Sequence, residues 1–171
     1  ADNFRGMRKD VIACLKEMGI LVLRWPGGNF AGEYNWLDGL LPVDMRAPFE
    51  SYMGIETQPH SLGYDFHEIN TDDFIALCRE VGAEPYITIN PCWNTPEENA
   101  AWVEYCNGTG NTHYANLRRS HGYEEPFNVK YWCIGNECYA EPDIGIQHDV
   151  NIYTRDAMEA VRYADEVFAN L

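Results

Sequence analysis

Two apolar segments of this sequence each end in a turn that carries polar side chains. Residues 20–23 are typical of a buried strand and are followed by Arg-Trp-Pro-Gly-Gly-Asn-Phe at 24–30. Residues 129–134 have the same character and are followed by Gly-Asn-Glu at 135–137. In α/β barrels the active-site residues lie at such junctions, at the carboxyl ends of the strands. The two junctions therefore indicate a functional site at one edge of a sheet.

Helix-like and strand-like segments alternate along the chain, which predicts a parallel sheet with helical crossovers. Thr71 and Thr95 are predicted N-caps, and Gly19 and Gly82 are predicted to follow the ends of helices. The predicted helices span residues 7–19, 71–81, 95–108 and 149–169, with a short helical turn near 114–119, and the predicted strands span 20–25, 84–90 and 129–134. The long segment 27–70 shows no sustained period, which is typical of a functional loop.

Two parallel architectures are compatible with this alternation. A doubly wound nucleotide-binding sheet requires a G-x-G-x-x-G turn that leads directly into a helix, and Pro-Gly-Gly at 26–28 does not match it. A (β/α)8 barrel fits better because polar residues follow the strands. Three strands cannot close a barrel. The predicted fold class is therefore α/β, a partial (β/α)8 TIM barrel of about three parallel strands with flanking helices, with residues 1–171 as a single domain taken from a larger catalytic barrel.

Composition and charge narrow the range of partners. The hydrophobic fraction of 46% is that of a globular chain. The formal net charge of −15 argues against a nucleic-acid partner, which requires a basic surface, and against an anionic membrane surface. No apolar run approaches the roughly 18–20 residues of a membrane helix. A neutral substrate such as a sugar is compatible with the charge.

The cysteines and histidines show no metal-ligand spacing, so neither a metal nor a cofactor is predicted. Cys14 and Cys78 are expected on the apolar faces of helices and Cys133 in a strand, so the cysteines are interpreted as buried free thiols. Free thiols, together with the absence of a recognisable signal peptide, favour a cytoplasmic location. The histidines are expected in solvated loops.

Glu137 is the predicted catalytic residue. It follows a strand rich in apolar and aromatic side chains, and a carboxyl group in an apolar, aromatic pocket can remain protonated and act as a general acid. Asn136, beside it, could hydrogen-bond a sugar hydroxyl. The alternative for Glu137 is a surface carboxylate that is hydrogen-bonded locally at a strand end.

Further candidates for substrate binding lie at the other strand ends. Arg24 could hold a catalytic carboxylate in position, or it could pair with a structural acid at the rim. Asn29 and Asn90 could bind substrate, or they could only shape their turns. Trp93, like the tryptophans at 36 and 132, could be a sugar platform, but a place in the core is the preferred interpretation for each one taken alone.

The ordered set of these segments resembles the α-L-arabinofuranosidases of glycoside hydrolase family 51. The likeness covers nearly all of residues 5–139 and is looser from 140 to 171. The segments that carry it are LRWPGGNF (23–30), EYNW (33–36), DG (38–39), GAEPYI (82–87), WVEYCN (102–107), ANLRR (115–119) and WCIGNE (132–137). A Gly-Asn-Glu sequence alone would be weak evidence for this family, because many retaining barrel glycosidases end a strand in Asn-Glu.

The resemblance implies a (β/α)8 barrel followed by a β-sandwich domain. It implies that Glu137 is the acid/base, that Asn136 binds the sugar 2-hydroxyl, and that Arg24 and Asn29 line the arabinose subsite. The implied reaction is retaining hydrolysis of terminal α-L-arabinofuranosyl groups of arabinan or arabinoxylan, without metal or cofactor. No glutamate of this chain matches the family's nucleophile, so the nucleophile is expected outside residues 1–171.

Two alternatives to this function remain at the level of sequence. One is another retaining barrel glycosidase of the xylanase or glucanase type, and the other is an inactive sugar-binding fragment. In each case the expected partner is an oligo- or polysaccharide, and the resemblance implies that it contains arabinose. The full-length protein is expected to be a homo-oligomer.

Overall fold

A computed structural model describes residues 2–51, 62–139 and 149–169. The helices are α1 (Lys9–Met18), α2 (Trp36–Leu40), α3 (Thr71–Val81), α4 (Pro96–Asn107), α5 (His113–Ser120) and α6 (Val150–Ala169). The strands are β1 (Asn3–Phe4), β2 (Met7–Arg8), β3 (Val22–Trp25), β4 (Phe49–Glu50), β5 (Tyr64–Asp65), β6 (Glu84–Ile89) and β7 (Tyr131–Ile134). Two 3-10 helices, Asn29–Gly32 and Val43–Met45, lie between β3 and β4.

Strands β3, β6 and β7 form one parallel sheet in that order. Trp25 pairs with Ile87 across the first strand pair, and Ile89 pairs with Ile134 across the second. The order in space equals the order in the chain, and helices follow each strand, as in consecutive units of a (β/α)8 barrel. The prediction of an α/β, partial-barrel fold with three parallel strands is confirmed, and the sheet does not close within the described residues. The pairs β1–β2 and β4–β5 are short antiparallel additions that were not predicted.

The helix boundaries follow the capping residues, with one correction. Helix α4 begins after Thr95 with a capping box to Glu98, as predicted. Helix α3 ends at Gly82, which adopts the left-handed conformation. The N-cap of α3, however, is Asn70 and not Thr71. The Asn70 side chain accepts a hydrogen bond from the amide of Asp73, and the Asp73 carboxylate accepts one from the amide of Asn70. This reciprocal pair forms with a cap at 70, because that cap places an acid, Asp73, at the third helical position.

The core lies between the parallel sheet and helices α3 and α4 and is rich in stacked aromatic rings. The indoles of Trp36 and Trp102 are parallel, 5.7 Å apart, and both are buried. Tyr34 and Tyr105 complete this layer. The segment between β3 and α3 thus supplies two large core residues, Tyr34 and Trp36. Its sequence shows no period because Tyr34 lies outside any helix or strand and Trp36 begins α2, which is only five residues long.

The predicted burial of Cys14 and the predicted exposure of His67 are wrong. Cys14 is exposed, because α1 packs through Ile12 and Leu15 while Cys14 lies outside that contact. His67 is buried, because the chain folds back and places its ring between Tyr34 and Phe49. The core interpretation is confirmed for Trp36 and, as a half-buried neighbour of the core, for the tryptophan at 132. Two of the histidines, at 60 and 148, lie outside the described residues.

Candidate active site at the carboxyl ends of the strands

Three of the predicted site residues form one hydrogen-bonded chain across the sheet. Arg24, in β3, donates from Nη2 to Oδ1 of Asn136 at 3.0 Å. Asn136, in the turn after β7, donates from Nδ2 to Oδ1 of Asn29 at 3.2 Å. Asn29 begins the 3-10 helix after β3, so the contacts join the two outer strands of the parallel sheet across its middle strand.

The middle strand fixes the arginine in this arrangement. Arg24 Nε donates to Oγ1 of Thr88 in β6 at 3.0 Å, and Thr88 is fully buried. These two hydrogen bonds of Arg24 go to a hydroxyl and to an amide oxygen. They therefore do not support the alternative in which Arg24 pairs with a structural acid. Because Arg24 holds the amide oxygen of Asn136 and Asn29 holds its nitrogen, the orientation of the Asn136 amide is set from both sides.

Glu137 follows Asn136 directly and is exposed. Its backbone is left-handed, with φ of 45°, and Gly135 two residues earlier has φ of 76°. The amide of Gly135 donates to the carbonyl of Ile89 at 3.1 Å, which ties the turn to the end of β6. A Cβ at position 135 would overlap Cys138 Sγ and approach Pro91 Cγ to 2.8 Å, so this turn needs glycine for both its conformation and its space.

Asn90 holds the loop after β6 in shape. It is only 1% exposed, and its Oδ1 accepts from the amides of Cys92 and Trp93 at 3.0 and 3.1 Å. Its backbone exchanges two hydrogen bonds with the side chain of Asn99 in α4. The Asn90 Nδ2 group is buried and has no hydrogen-bond partner among the described residues.

Trp93 stands in this same loop and is 72% exposed, so the preferred core interpretation is wrong for this tryptophan. The Asn90 side chain bonds its own loop and its backbone bonds α4, whereas Arg24, Asn29 and Asn136 join β3 to the turn after β7. Sequence reasoning missed Thr88 as the partner of Arg24, although a polar residue within the apolar run of β6 was a visible signal. It also missed that the thiols of Cys92 and Cys138 are hydrogen-bonded to each other.

Two further properties concern only the described part of the chain. Within residues 2–51, 62–139 and 149–169, no three His, Cys, Asp or Glu side chains are grouped as metal ligands would be. None of the helices in these ranges combines the length and apolar character needed to cross a bilayer.

Comparison with known proteins identifies sequences and structures of the same kind. The family model of the alpha-L-arabinofuranosidase 1 domain matches residues 14–161. A probable alpha-L-arabinofuranosidase C of Aspergillus flavus is 49% identical over 136 residues, which cover 78% of this chain and 25% of the relative. An intracellular exo-alpha-L-arabinofuranosidase of Bacteroides ovatus is 40% identical over 138 residues, covering 80% of this chain and 26% of that protein. The chain thus spans about a quarter of the length of these curated relatives.

Solved structures match nearly the whole chain. The alpha-L-arabinofuranosidase of Thermotoga maritima in its arabinose complex superposes with a TM-score of 0.86 at 43% identity, over 97% of this chain and 33% of the other. The thermostable GH51 alpha-L-arabinofuranosidase of Thermotoga petrophila RKU-1 gives a TM-score of 0.85 at 44% identity, over 95% of this chain and 32% of the other.

Proposed function

This chain belongs to the α-L-arabinofuranosidases of glycoside hydrolase family 51, and we propose that the protein hydrolyses terminal non-reducing α-L-arabinofuranosyl residues of arabinan- or arabinoxylan-type polysaccharides with retention of configuration. The observation that carries the proposal is the hydrogen-bonded chain Arg24–Asn136–Asn29 at the carboxyl edge of the parallel sheet, whose central member, Asn136, directly precedes Glu137.

These three side chains suit a neutral, hydroxyl-rich ligand. Two amides and one guanidinium supply donors and acceptors in a fixed arrangement, and an enzyme that holds its substrate in a fixed position lowers the entropic part of the barrier. We assign Asn136 to a sugar hydroxyl next to the reacting carbon, with Arg24 and Asn29 holding its amide in the productive orientation. Hydrogen bonds of this kind strengthen as positive charge develops on the sugar ring in the transition state.

Glu137 is the proposed acid/base. In the first step it protonates the oxygen of the departing group, and in the second it removes a proton from the water that releases the sugar. Its exposure and its place next to Asn136 leave the carboxyl group open to a bound substrate. Retaining hydrolysis also needs a nucleophilic carboxylate about 5–5.5 Å from the acid. We place that nucleophile outside residues 1–171.

Trp93 is the proposed platform for the part of the polysaccharide beyond the cleaved bond. A large exposed indole is unfavourable in water and becomes covered when a sugar ring stacks on it. Asn90 supports this contact, because its buried carboxamide accepts the amide hydrogen of Trp93 and so shapes the loop that presents the ring.

The test uses Glu137→Gln in the protein at its full natural length, with two substrates. Release of arabinose from arabinoxylan should fall by about 10²–10⁴-fold, because the leaving alcohol needs protonation. An aryl arabinofuranoside with an activated leaving group should still give a rapid burst of phenol as the glycosyl-enzyme forms. Glu125→Gln, an exposed acid after α5, is the matched control and should behave as the wild type on both substrates. Equal effects of Glu137→Gln on both substrates would rule out the acid role.

A further inference from the structure

Two cysteines meet at the edge of the sheet that carries Glu137. Cys92 lies in the loop after β6, and Cys138 lies in the turn after β7, immediately after Glu137. Strands β6 and β7 are neighbours and end side by side, with Ile89 paired to Ile134. The register therefore brings both thiols to one place, and they are hydrogen-bonded to each other.

The loop and the turn pack closely at this point. Gly135 lies between Cys138 Sγ and the ring of Pro91, the residue before Cys92, and has no room for even one added carbon. The amide of Gly135 is bonded to the carbonyl of Ile89. The two cysteines are thus held by a shared, tightly packed backbone rather than by mobile side chains alone.

The contact prepares one thiol as a nucleophile. The hydrogen bond with Cys92 lowers the pKa of Cys138 to about 7, and the backbone amide of Asn136 acts in the same direction, while partial burial opposes both. The same contact raises the pKa of Cys92, which keeps its proton. The thiolate is the reactive form of cysteine. Both side chains are half-buried, whereas the thiols at 78 and 106 are buried and have raised pKa values.

We propose that Cys92 and Cys138 are an oxidation site that forms a reversible disulfide with a hydroperoxide. The Cys138 thiolate attacks the outer oxygen of the hydroperoxide and breaks the O–O bond, giving a sulfenic acid and, after proton uptake, an alcohol or water. The Cys92 thiol then attacks the sulfenic sulfur, the S–S bond forms, and one water leaves with the Cys92 proton. An added dithiol restores both thiols and becomes a cyclic disulfide.

The disulfide changes the position of the acid. A covalent S–S bond is shorter than a hydrogen-bonded contact between two thiols, so its formation draws the 135–138 turn toward the 90–94 loop. Glu137 is bonded directly to Cys138 and must follow. A displacement of about 1 Å in a catalytic group can cost on the order of 10²-fold in rate. This consequence rests on the proposed function, whereas formation of the disulfide does not.

The experiment treats the reduced protein at its full natural length with one equivalent of hydrogen peroxide and follows two readouts. Mass spectrometry of the intact protein and of non-reduced peptides should show the loss of two hydrogen atoms and a peptide linked through Cys92 and Cys138. Hydrolysis of arabinoxylan should fall at least ~10-fold in parallel and return with dithiothreitol. Cys14→Ser is the matched control, because Cys14 is exposed on α1 and outside the site, and it should retain wild-type activity and sensitivity to peroxide.

Cys92→Ser and Cys138→Ser should each lose both the linked peptide and the reversible inactivation, judged against their own activity under reducing conditions. Absence of the linked peptide in the wild type, with oxidation at Cys14 instead, would overturn the oxidation site. A linked peptide with unchanged activity would overturn the effect on the acid. The leaving-group test on Glu137→Gln reports separately whether Glu137 is the acid, so the failure of either idea can be distinguished.

Discussion

Replacing Gly135 with alanine should destabilise the protein and misplace its proposed acid. The left-handed backbone at φ of 76° costs a residue with a Cβ about 1–2 kcal/mol. The added carbon would also meet Cys138 Sγ and the ring of Pro91, and overpacking of a close contact costs about 1–3 kcal/mol. Together these give a loss of about 2–5 kcal/mol in the free energy of unfolding.

Gly82→Ala separates the two contributions. Gly82 has φ of 77°, almost the same as Gly135, but nothing lies within 4 Å of a Cβ built there. This control should lose only the conformational part of the free energy of unfolding, about 1–2 kcal/mol. It should keep its activity because Gly82 precedes β6, at the opposite end of the parallel sheet from the turn that follows β7.

The assay is urea unfolding followed by tryptophan fluorescence, with kcat/KM on arabinoxylan measured in the absence of urea. Gly135→Ala should be less stable than Gly82→Ala by about 1–3 kcal/mol and should also lose activity. Equal stability losses in the two variants would refute the crowding argument. Full activity in Gly135→Ala would refute the claim that this turn positions Glu137.

Three further predictions concern the hydrogen-bonded chain, a buried histidine and a buried arginine. Arg24→Ala and Asn136→Ala should each lower kcat/KM in steady-state kinetics. The double variant should lose less transition-state stabilisation than the sum of the two single losses, by about 0.5–3 kcal/mol, because both changes break the same hydrogen bond. Additive losses would contradict this. Burial lowers the pKa of His67, so the unfolded chain binds a proton that the folded protein does not, and the free energy of unfolding should fall as the pH drops through about 6.5, by at most about 1.4 kcal/mol per pH unit. Urea unfolding of the wild type and of His67→Asn at about pH 7.5 and 5.5 tests this, and an equal pH dependence of the two proteins would contradict it. Arg118 is fully buried and donates to the backbone carbonyls of four residues. Arg118→Lys should therefore lower the free energy of unfolding, measured with urea, by about 2–4 kcal/mol. A stability equal to that of the wild type would show that these hydrogen bonds contribute nothing.

The sequence was sufficient to predict that Arg24, Asn29 and Asn136 come together, because the rule involved is simple. Parallel strands end at one edge, so polar residues that follow β3 and β7 must come near each other. Arg24, Asn29 and Asn136 are indeed joined by hydrogen bonds there. The predicted helices were placed closely because capping residues such as Thr95 and Gly82 act locally, but the five-residue helix α2 was not predicted.

The features that the sequence did not reveal depend on register and on long-range packing. Arg24 reaches Thr88 because Arg24 pairs with Tyr86 across the sheet, and no local signal sets that register. His67 is buried because its segment folds back onto Phe49, which no periodicity indicates. The exposure of Trp93 depends on the loop that Asn90 shapes, so the residue type alone could not separate a core indole from an exposed one.

The most direct test of the role of Glu137 is azide rescue of Glu137→Ala in the protein at its full natural length. With an activated aryl α-L-arabinofuranoside, the variant should accumulate the glycosyl-enzyme, and azide, which needs no general base, should release it faster than water does. The account predicts accelerated turnover and an arabinofuranosyl azide with the anomeric configuration of the substrate, determined by NMR. An azide of inverted configuration would make Glu137 the nucleophile, and no acceleration by azide would remove Glu137 from acid/base catalysis.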